Sequence, residues 1–152
     1  METVPSKQTE AAWVLLMRTQ QVLLGRAETA LKESGLPPLS WYDVLLELSR
    51  DPEAGLRQYE IGERVLLNKH NLSRLIDRLE SDGLVKREAC DLDGRGNVVK
   101  ISKKGLQLKQ KMWPVYAQAI QELIGEPLTA TQVRSLASIL NALLEQHTGE
   151  LL

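Results

Sequence analysis

The sequence is poor in the residues that cross-link chains or bind metals. Its 152 residues include one cysteine, Cys90, and two histidines, His70 and His147. A single cysteine excludes a disulfide framework within the chain and is typical of a reducing compartment. The three residues lack the spacing of a metal-binding motif. The sequence therefore predicts no metal and no cofactor.

Long apolar runs are also absent. No stretch approaches the roughly 18 consecutive apolar residues that a membrane-spanning helix needs. The opening METVPSKQTE lacks the apolar segment of a secretory signal peptide. The formal net charge is -1, so the chain as a whole is not a polycation. We therefore expect a cytoplasmic protein without a membrane partner, long enough for one domain with a core.

Helical periodicity predicts three helices in the first 65 residues. The first, 9–33, has apolar residues on more than one face, which is typical of a helix packed between partners. Ser40 is the expected N-cap of the second helix, with Asp43 in place of the glutamate of a capping box. A turn at 51–55 leads to a short third helix at 57–65.

The next segment combines a fourth helix with a β-hairpin. Asn68 is the expected N-cap of this helix, and Gly83 is expected to end it. "LVKREA" and "VVKIS" have the pattern of strands, and turn dipeptides lie between them. Helical periodicity returns from 102 to about 123, and Thr129 is the expected N-cap of a last helix.

This order of elements predicts a mainly α fold with a small β-hairpin wing, an α+β arrangement. Residues 40–102 have the order of a winged helix-turn-helix lobe. The helices at 9–33 and 102–147 flank that lobe within a single domain, 1–152, and their surplus of apolar surface suits packing on a second subunit.

The fourth helix has one apolar and one polar face. Its apolar stripe contains Leu72, Leu75, Ile76 and Leu79. A helix that enters the DNA major groove needs a slim polar face with its N-terminal half near the base edges. The candidate DNA contacts on this segment are Asn68, Lys69, His70, Asn71, Ser73, Arg74 and Arg78. The alternative is that the arginines form salt bridges with Asp77 and Glu80 of the same helix.

Positive charge is concentrated in the predicted lobe. Residues 57–105 carry a net charge of +3, whereas the rest of the chain carries -4. A positive lobe on an acidic helical body suits nucleic-acid binding at one surface. Because the excess is small, the placing of the charges matters more than their number.

These motifs resemble a known family. "IGERVLLNKHNLSRLIDRLESDGLVKRE", followed by "DLDGRGNVVKISKKG", is similar to the signature of the MarR family of bacterial and archaeal transcription regulators. In that family a "TRLVDRLE..GLV.R" helix leads into a "D.R...V.LT..G" wing, and the wing matches in this chain are Asp93, Arg95, Val99, Ile101, Ser102 and Gly105. The chain departs from the pattern at Leu66, where a glycine is frequent, and at "EACD", which replaces wing prolines.

The resemblance implies a sequence-specific regulator of double-stranded DNA. Family members form homodimers through their first and last helices, which places two lobes on a near-palindromic operator. The wing arginine, here Arg95 between two glycines, would enter the minor groove, and Asp93 would hold it. The resemblance thus predicts a repressor whose repression a small-molecule effector relieves.

The resemblance also implies a small, often aromatic or phenolic, anionic effector. Residues that could line its cleft are Trp13, Met17, Arg18, Trp41 and Tyr42, and the alternative is that they are core and interface residues. Cys90 is either a redox sensor or an inert thiol. No nucleophile–base pair, paired carboxylates or phosphate loop is recognisable, so we do not expect an enzyme. A winged-helix module that binds only proteins remains the alternative function.

Overall fold

The computed structural model of the protein describes residues 3–65, 67–89 and 97–147. The elements are α1 (Lys7–Glu33), α2 (Leu39–Ser49), β1 (Leu56–Arg57), α3 (Gln58–Arg64), α4 (Lys69–Ser81), β2 (Val85–Ala89), β3 (Asn97–Ile101), α5 (Lys103–Ile120), a π-helical turn (Gln121–Gly125) and α6 (Ala130–Glu145). This mainly helical chain with a small sheet confirms the predicted fold class. No helix in the described ranges combines the length and apolar character needed to cross a bilayer.

The sheet has three antiparallel strands in the order β1-β3-β2. The predicted hairpin is confirmed, with Val85 opposite Ile101 and Arg87 opposite Val99. Strand β1 was not predicted, because two residues carry no periodic signal. It follows Gly55, which has a φ of 67° and lies so close to β3 that a Cβ atom there would sit 2.5 Å from the Val99 carbonyl oxygen.

The main core lies between the sheet and helices α2, α3 and α4. It buries Val44, Leu45, Leu48, Ile61, Val65, Leu72, Ile76, Leu79, Leu84, Val85, Val99 and Ile101. The apolar stripe predicted for α4 accounts for three of these side chains. Helix α4 therefore has a fixed rotation, with its polar face directed away from the core.

A second cluster joins this lobe to the long helices. Leu31 of α1, Leu39 and Tyr42 of α2, and Met112 of α5 are all buried there. The Tyr42 ring stacks on Trp113 with ring centroids 6.1 Å apart. The second cluster fixes the position of α2 relative to α1 and α5.

Two predictions about helix N-termini had different outcomes. Thr129 caps α6 as expected, in a reciprocal capping box with Gln132. The prediction for Ser40 was wrong, because α2 already begins at Leu39, after Pro38. The Glu28 side chain of α1 accepts a hydrogen bond from the Leu39 N–H at 2.7 Å, so a neighbouring helix supplies the acceptor.

Helix α6 and the first half of α1 leave much apolar surface exposed. No residue of α6 is buried. The exposed apolar side chains on these two elements include Trp13, Val14, Leu15, Met17, Ile139, Leu143 and Leu144. A cleft of about 430 Å³ separates the two helices and is lined mainly by such side chains. A surface of this kind is typical of an interface with another protein.

Asp43 of α2 is partly buried beside two other carboxyl groups. Burial and, secondarily, the negative charges of Glu28 and Glu47 raise the pKa of Asp43 from 3.8 to about 6. At a pH between about 4 and 6, the Asp43 carboxyl binds more protons in the folded state than in the unfolded state. The contribution of Asp43 to stability therefore falls as the pH rises from about 4 to 6, and its charge destabilises the fold above that range.

We predict that Asp43→Asn stabilises the protein at pH 7.5. The gain should be about 1–2 kcal/mol after allowance for solvent screening, or a few degrees in melting temperature. It should disappear by about pH 4, where the wild-type carboxyl is itself protonated. Thermal unfolding across this pH range measures the difference, with Glu53→Gln at an exposed site as the control. A less stable Asp43→Asn protein at pH 7.5 would contradict the prediction.

Candidate nucleic-acid interface

Helix α4 begins and ends as the sequence predicts. The Asn68 side chain accepts a hydrogen bond from the Asn71 N–H at 2.8 Å, which confirms the N-cap. Gly83 has a φ of 76°, a conformation that favours glycine. The Leu84 N–H then bonds back to the Leu79 carbonyl at 2.9 Å, as in a Schellman motif. The chain therefore passes from the helix directly into strand β2.

The polar face of α4 is open to solvent. Exposed side chains on it include Lys69, His70, Asn71, Arg74 and Arg78, and Ser73 is partly exposed. Within the described ranges, the side chains of Lys69, His70 and Arg74 have no hydrogen bond or ion pair. The structure thus brings the predicted helix contacts together on one surface, and it leaves the polar atoms of Lys69, His70 and Arg74 available.

The alternative reading of the helix arginines fails for Arg74. The Asp77 carboxylate is paired with Arg87 of strand β2, at 2.7 Å, rather than with a residue of its own helix. Arg78 does approach a carboxylate of the adjoining turn, with 3.7 Å between its Nε atom and Asp82 Oδ2. Both of these side chains are largely solvated, so the contact is weak.

The base of the wing is formed by strands β2 and β3. A cross-strand ion pair joins Lys100 Nζ and Glu88 Oε2 at 2.9 Å. Asp93 and Arg95, the predicted wing contacts, and Cys90 lie outside the described residues.

The predicted effector residues lie at several different places in the described part of the chain. Trp13 lines the cleft between α1 and α6. Trp41 instead lines an open groove of about 680 Å³ beside the C-terminus of α4. Tyr42 is 5% exposed, within the second cluster. Met17 and Arg18 are exposed on α1.

Sequence reasoning did not single out the contacts that fix the C-terminal end of α4. The Ser102 hydroxyl donates to the Gly83 carbonyl at 2.7 Å, and Lys104 Nζ donates to the Asp82 carbonyl at 2.8 Å. Gly105 packs so tightly that a Cβ atom would meet the Leu84 carbonyl oxygen. The matches at Ser102 and Gly105 to the family pattern were the available signal. The close packing of the start of α5 on the end of α4 explains why a serine and a glycine are needed at these two positions.

Comparison with known proteins places these features in context. The model of the MarR family matches residues 34–96. HTH-type transcriptional regulator MhqR of Bacillus subtilis is 28% identical over 113 residues, which are 74% of this chain and 76% of that protein. The uncharacterized HTH-type transcriptional regulator YkoM of the same species is 32% identical over 89 residues. That match covers 59% of this chain and 56% of YkoM, so this chain spans little more than half of the length of that relative.

A solved structure extends the likeness to the whole fold. Sco3205, a MarR family transcriptional regulator from Streptomyces coelicolor crystallised in complex with DNA, has a TM-score of 0.86 to this chain. The match covers 96% of this chain and 91% of that one at 23% identity. At this level of identity the likeness establishes a common fold.

Proposed function

We propose that this chain, whose residues 34–96 match the model of the MarR family and whose fold is that of a MarR family transcriptional regulator, regulates transcription by binding double-stranded DNA at specific sequences. The observation that carries this proposal is the open polar face of α4. The face displays Lys69, His70 and Arg74 without partners among the described residues, on a helix whose rotation the core fixes.

The geometry of α4 suits insertion into the major groove. An α-helix fits that groove, where arginine, asparagine and histidine side chains can bond to base edges. The N-terminal half of α4 carries most of the free polar groups, and this half approaches the bases in helix-turn-helix proteins. The helix N-terminus also favours a phosphate, because its first N–H groups are not all used within the helix.

The exposed apolar surface supports a homodimer. Helix α6 buries no residue within its own chain, and Leu143 and Leu144 are 51% and 58% exposed. A second copy of the chain that covers this surface would bury the exposed apolar side chains. It would also place two winged helix-turn-helix lobes side by side. Two-fold symmetry of the protein then requires a near-palindromic operator, with half-sites about one helical turn apart.

The remaining parts of the proposal concern the wing and regulation. We assign Arg95 to the minor groove and Asp93 to its orientation, as in the family. We further propose that the protein is a cytoplasmic repressor, and that a small aromatic or phenolic anion relieves repression at a cleft that the two subunits form together. Trp13, Arg18 and Trp41 would then meet only in the dimer.

The test is selection of bound duplexes from a random pool, followed by footprinting. A recovered near-palindrome with two protected half-sites is the expected result. Failure to enrich any sequence, together with no duplex binding at low salt, would favour a protein-interaction module instead.

For Arg74→Ala we predict a loss of about 1–3 kcal/mol of specific binding per half-site if Arg74 reads a base edge. Sequence preference should also relax at one operator position. Fluorescence anisotropy on the operator and on single-base variants measures both effects, with Arg134→Ala on α6 as the control. Equal weakening on every sequence would instead identify Arg74 as a phosphate contact.

If α6 forms the dimer interface, a charge placed on its apolar face should weaken the dimer. We expect the wild type to sediment at twice the 17.1 kDa chain mass at micromolar concentration. Leu143→Glu should shift it toward the monomer, because the buried interface would then hold an unpaired charge. Ser138→Glu, on the opposite face of the same helix, should leave the dimer intact. A wild type that sediments only as the monomer would refute the dimer.

A further inference from the structure

We propose that Arg87 is a positioning residue for DNA recognition, which binds both carboxylates of the recognition helix α4 and so fixes that helix to the wing. The proposal rests on the proposed function and deepens it. Arg87 lies on strand β2, outside the helix that carries the predicted base contacts.

Three contacts connect Arg87 to α4. Its Nη2 atom lies 2.7 Å from Asp77 Oδ1, and its Nη1 atom lies 3.0 Å from Glu80 Oε1. Its backbone N–H donates to the other Glu80 oxygen, Oε2, also at 3.0 Å. Glu80 therefore binds the main chain and the side chain of the same residue, so the contact fixes the strand as well as the guanidinium.

The position of Arg87 in the sheet explains how it reaches the helix. Val85 and Arg87 are two residues apart, so their side chains leave β2 on the same face, which is the face that packs on α4. Val85 is buried in the core, whereas the Arg87 side chain is 21% exposed. The Arg87 side chain is thus largely covered, and its planar guanidinium group bonds to two carboxylates through different nitrogen atoms.

These contacts change the charge that α4 presents. Asp77 adjoins Arg78 in the chain and lies one helical turn from Arg74, on a face proposed to approach phosphates. Arg87 compensates part of this negative charge and holds both carboxylates on the wing side of the helix. Hydrogen bonds from Arg87 also lower the pKa of Glu80, so its carboxylate stays charged and bound in mildly acidic solution.

The two carboxylates also determine the orientation of the polar face. They lie three residues apart on the helix and are held by a single guanidinium, which restrains both rotation and tilt. Arg74 leaves the helix about 60° from Asp77 at 100° per residue. Holding Asp77 consequently adds to the restraint from the core on the part of the helix that carries Arg74, relative to the wing that follows β2.

Asp77→Asn provides the decisive test. Asp77 is 65% exposed, so the variant should fold. Simple electrostatics predicts tighter binding to every duplex, because a negative charge near phosphates is removed. Positioning predicts a lower ratio of affinity for the selected operator over a scrambled duplex, by several-fold. Fluorescence anisotropy at two salt concentrations measures that ratio, and thermal unfolding verifies the fold.

Arg87 variants complete the experiment. Arg87→Ala should lower the ratio about tenfold, and Arg87→Lys should restore only part of it, since an ammonium cannot reproduce the two-directional bonding. In a protein that already carries Asp77→Asn and Glu80→Gln, Arg87→Ala should have little further effect. Lys100→Ala breaks the matched Lys100–Glu88 pair of the same hairpin without touching α4, and should leave the ratio unchanged.

The outcomes separate this inference from the proposed function. A wild type that prefers no duplex overturns the proposed function and the inference together. A wild type that is specific, with Asp77→Asn and Arg87→Ala variants that match Lys100→Ala, overturns the inference alone. If the Asp77→Asn variant keeps or increases the ratio of affinities for the operator over the scrambled duplex, the inference about Arg87 is likewise overturned and the proposed function stands.

Discussion

The burial of one side of α4 is the constraint on which the rest of the structure depends. Leu72, Ile76 and Leu79 are at most 2% exposed, and full burial of each such side chain contributes about 1.5–3 kcal/mol. Any rotation that turned this stripe toward solvent would cost most of a small domain's stability. The opposite face must therefore point outward, and its polar side chains must form a surface.

Helix α5 joins this surface to the exposed helices of the body. Leu108 packs against the main core and against the second cluster, and Met112 is buried in the latter. The start of α5 is bonded to the end of α4 through Ser102 and Lys104. A partner that displaced α1 or α5 would consequently act on the core behind α4 rather than on its exposed polar face.

Sequence patterns predicted the parts of the fold that depend on neighbours in the chain. Asn68 and Gly83 were identified because capping requires those residue types at those positions. The contacts of Glu28 with Leu39 and of Arg87 with Asp77 were not identified, because each joins two elements whose relative placement is tertiary. The same limit applies to the predicted effector residues: periodicity places Trp13 and Trp41 on helix faces, whereas tertiary packing decides which faces share a cavity.

Charge pairing explains how a lobe with a small net charge can present a locally positive surface. Between 57 and 105 the structure describes six acidic residues, and four of them, Asp77, Glu80, Asp82 and Glu88, take part in ion pairs. Those pairs use cations of the wing strands and Arg78, whereas Lys69 and Arg74 have no ion pair within the described ranges. Because the field near a surface depends on the nearest charges, the N-terminal half of α4 is more positive than the net charge of the lobe indicates. The four paired acidic residues thus hold cations in place, so their number is no argument against binding a polyanion.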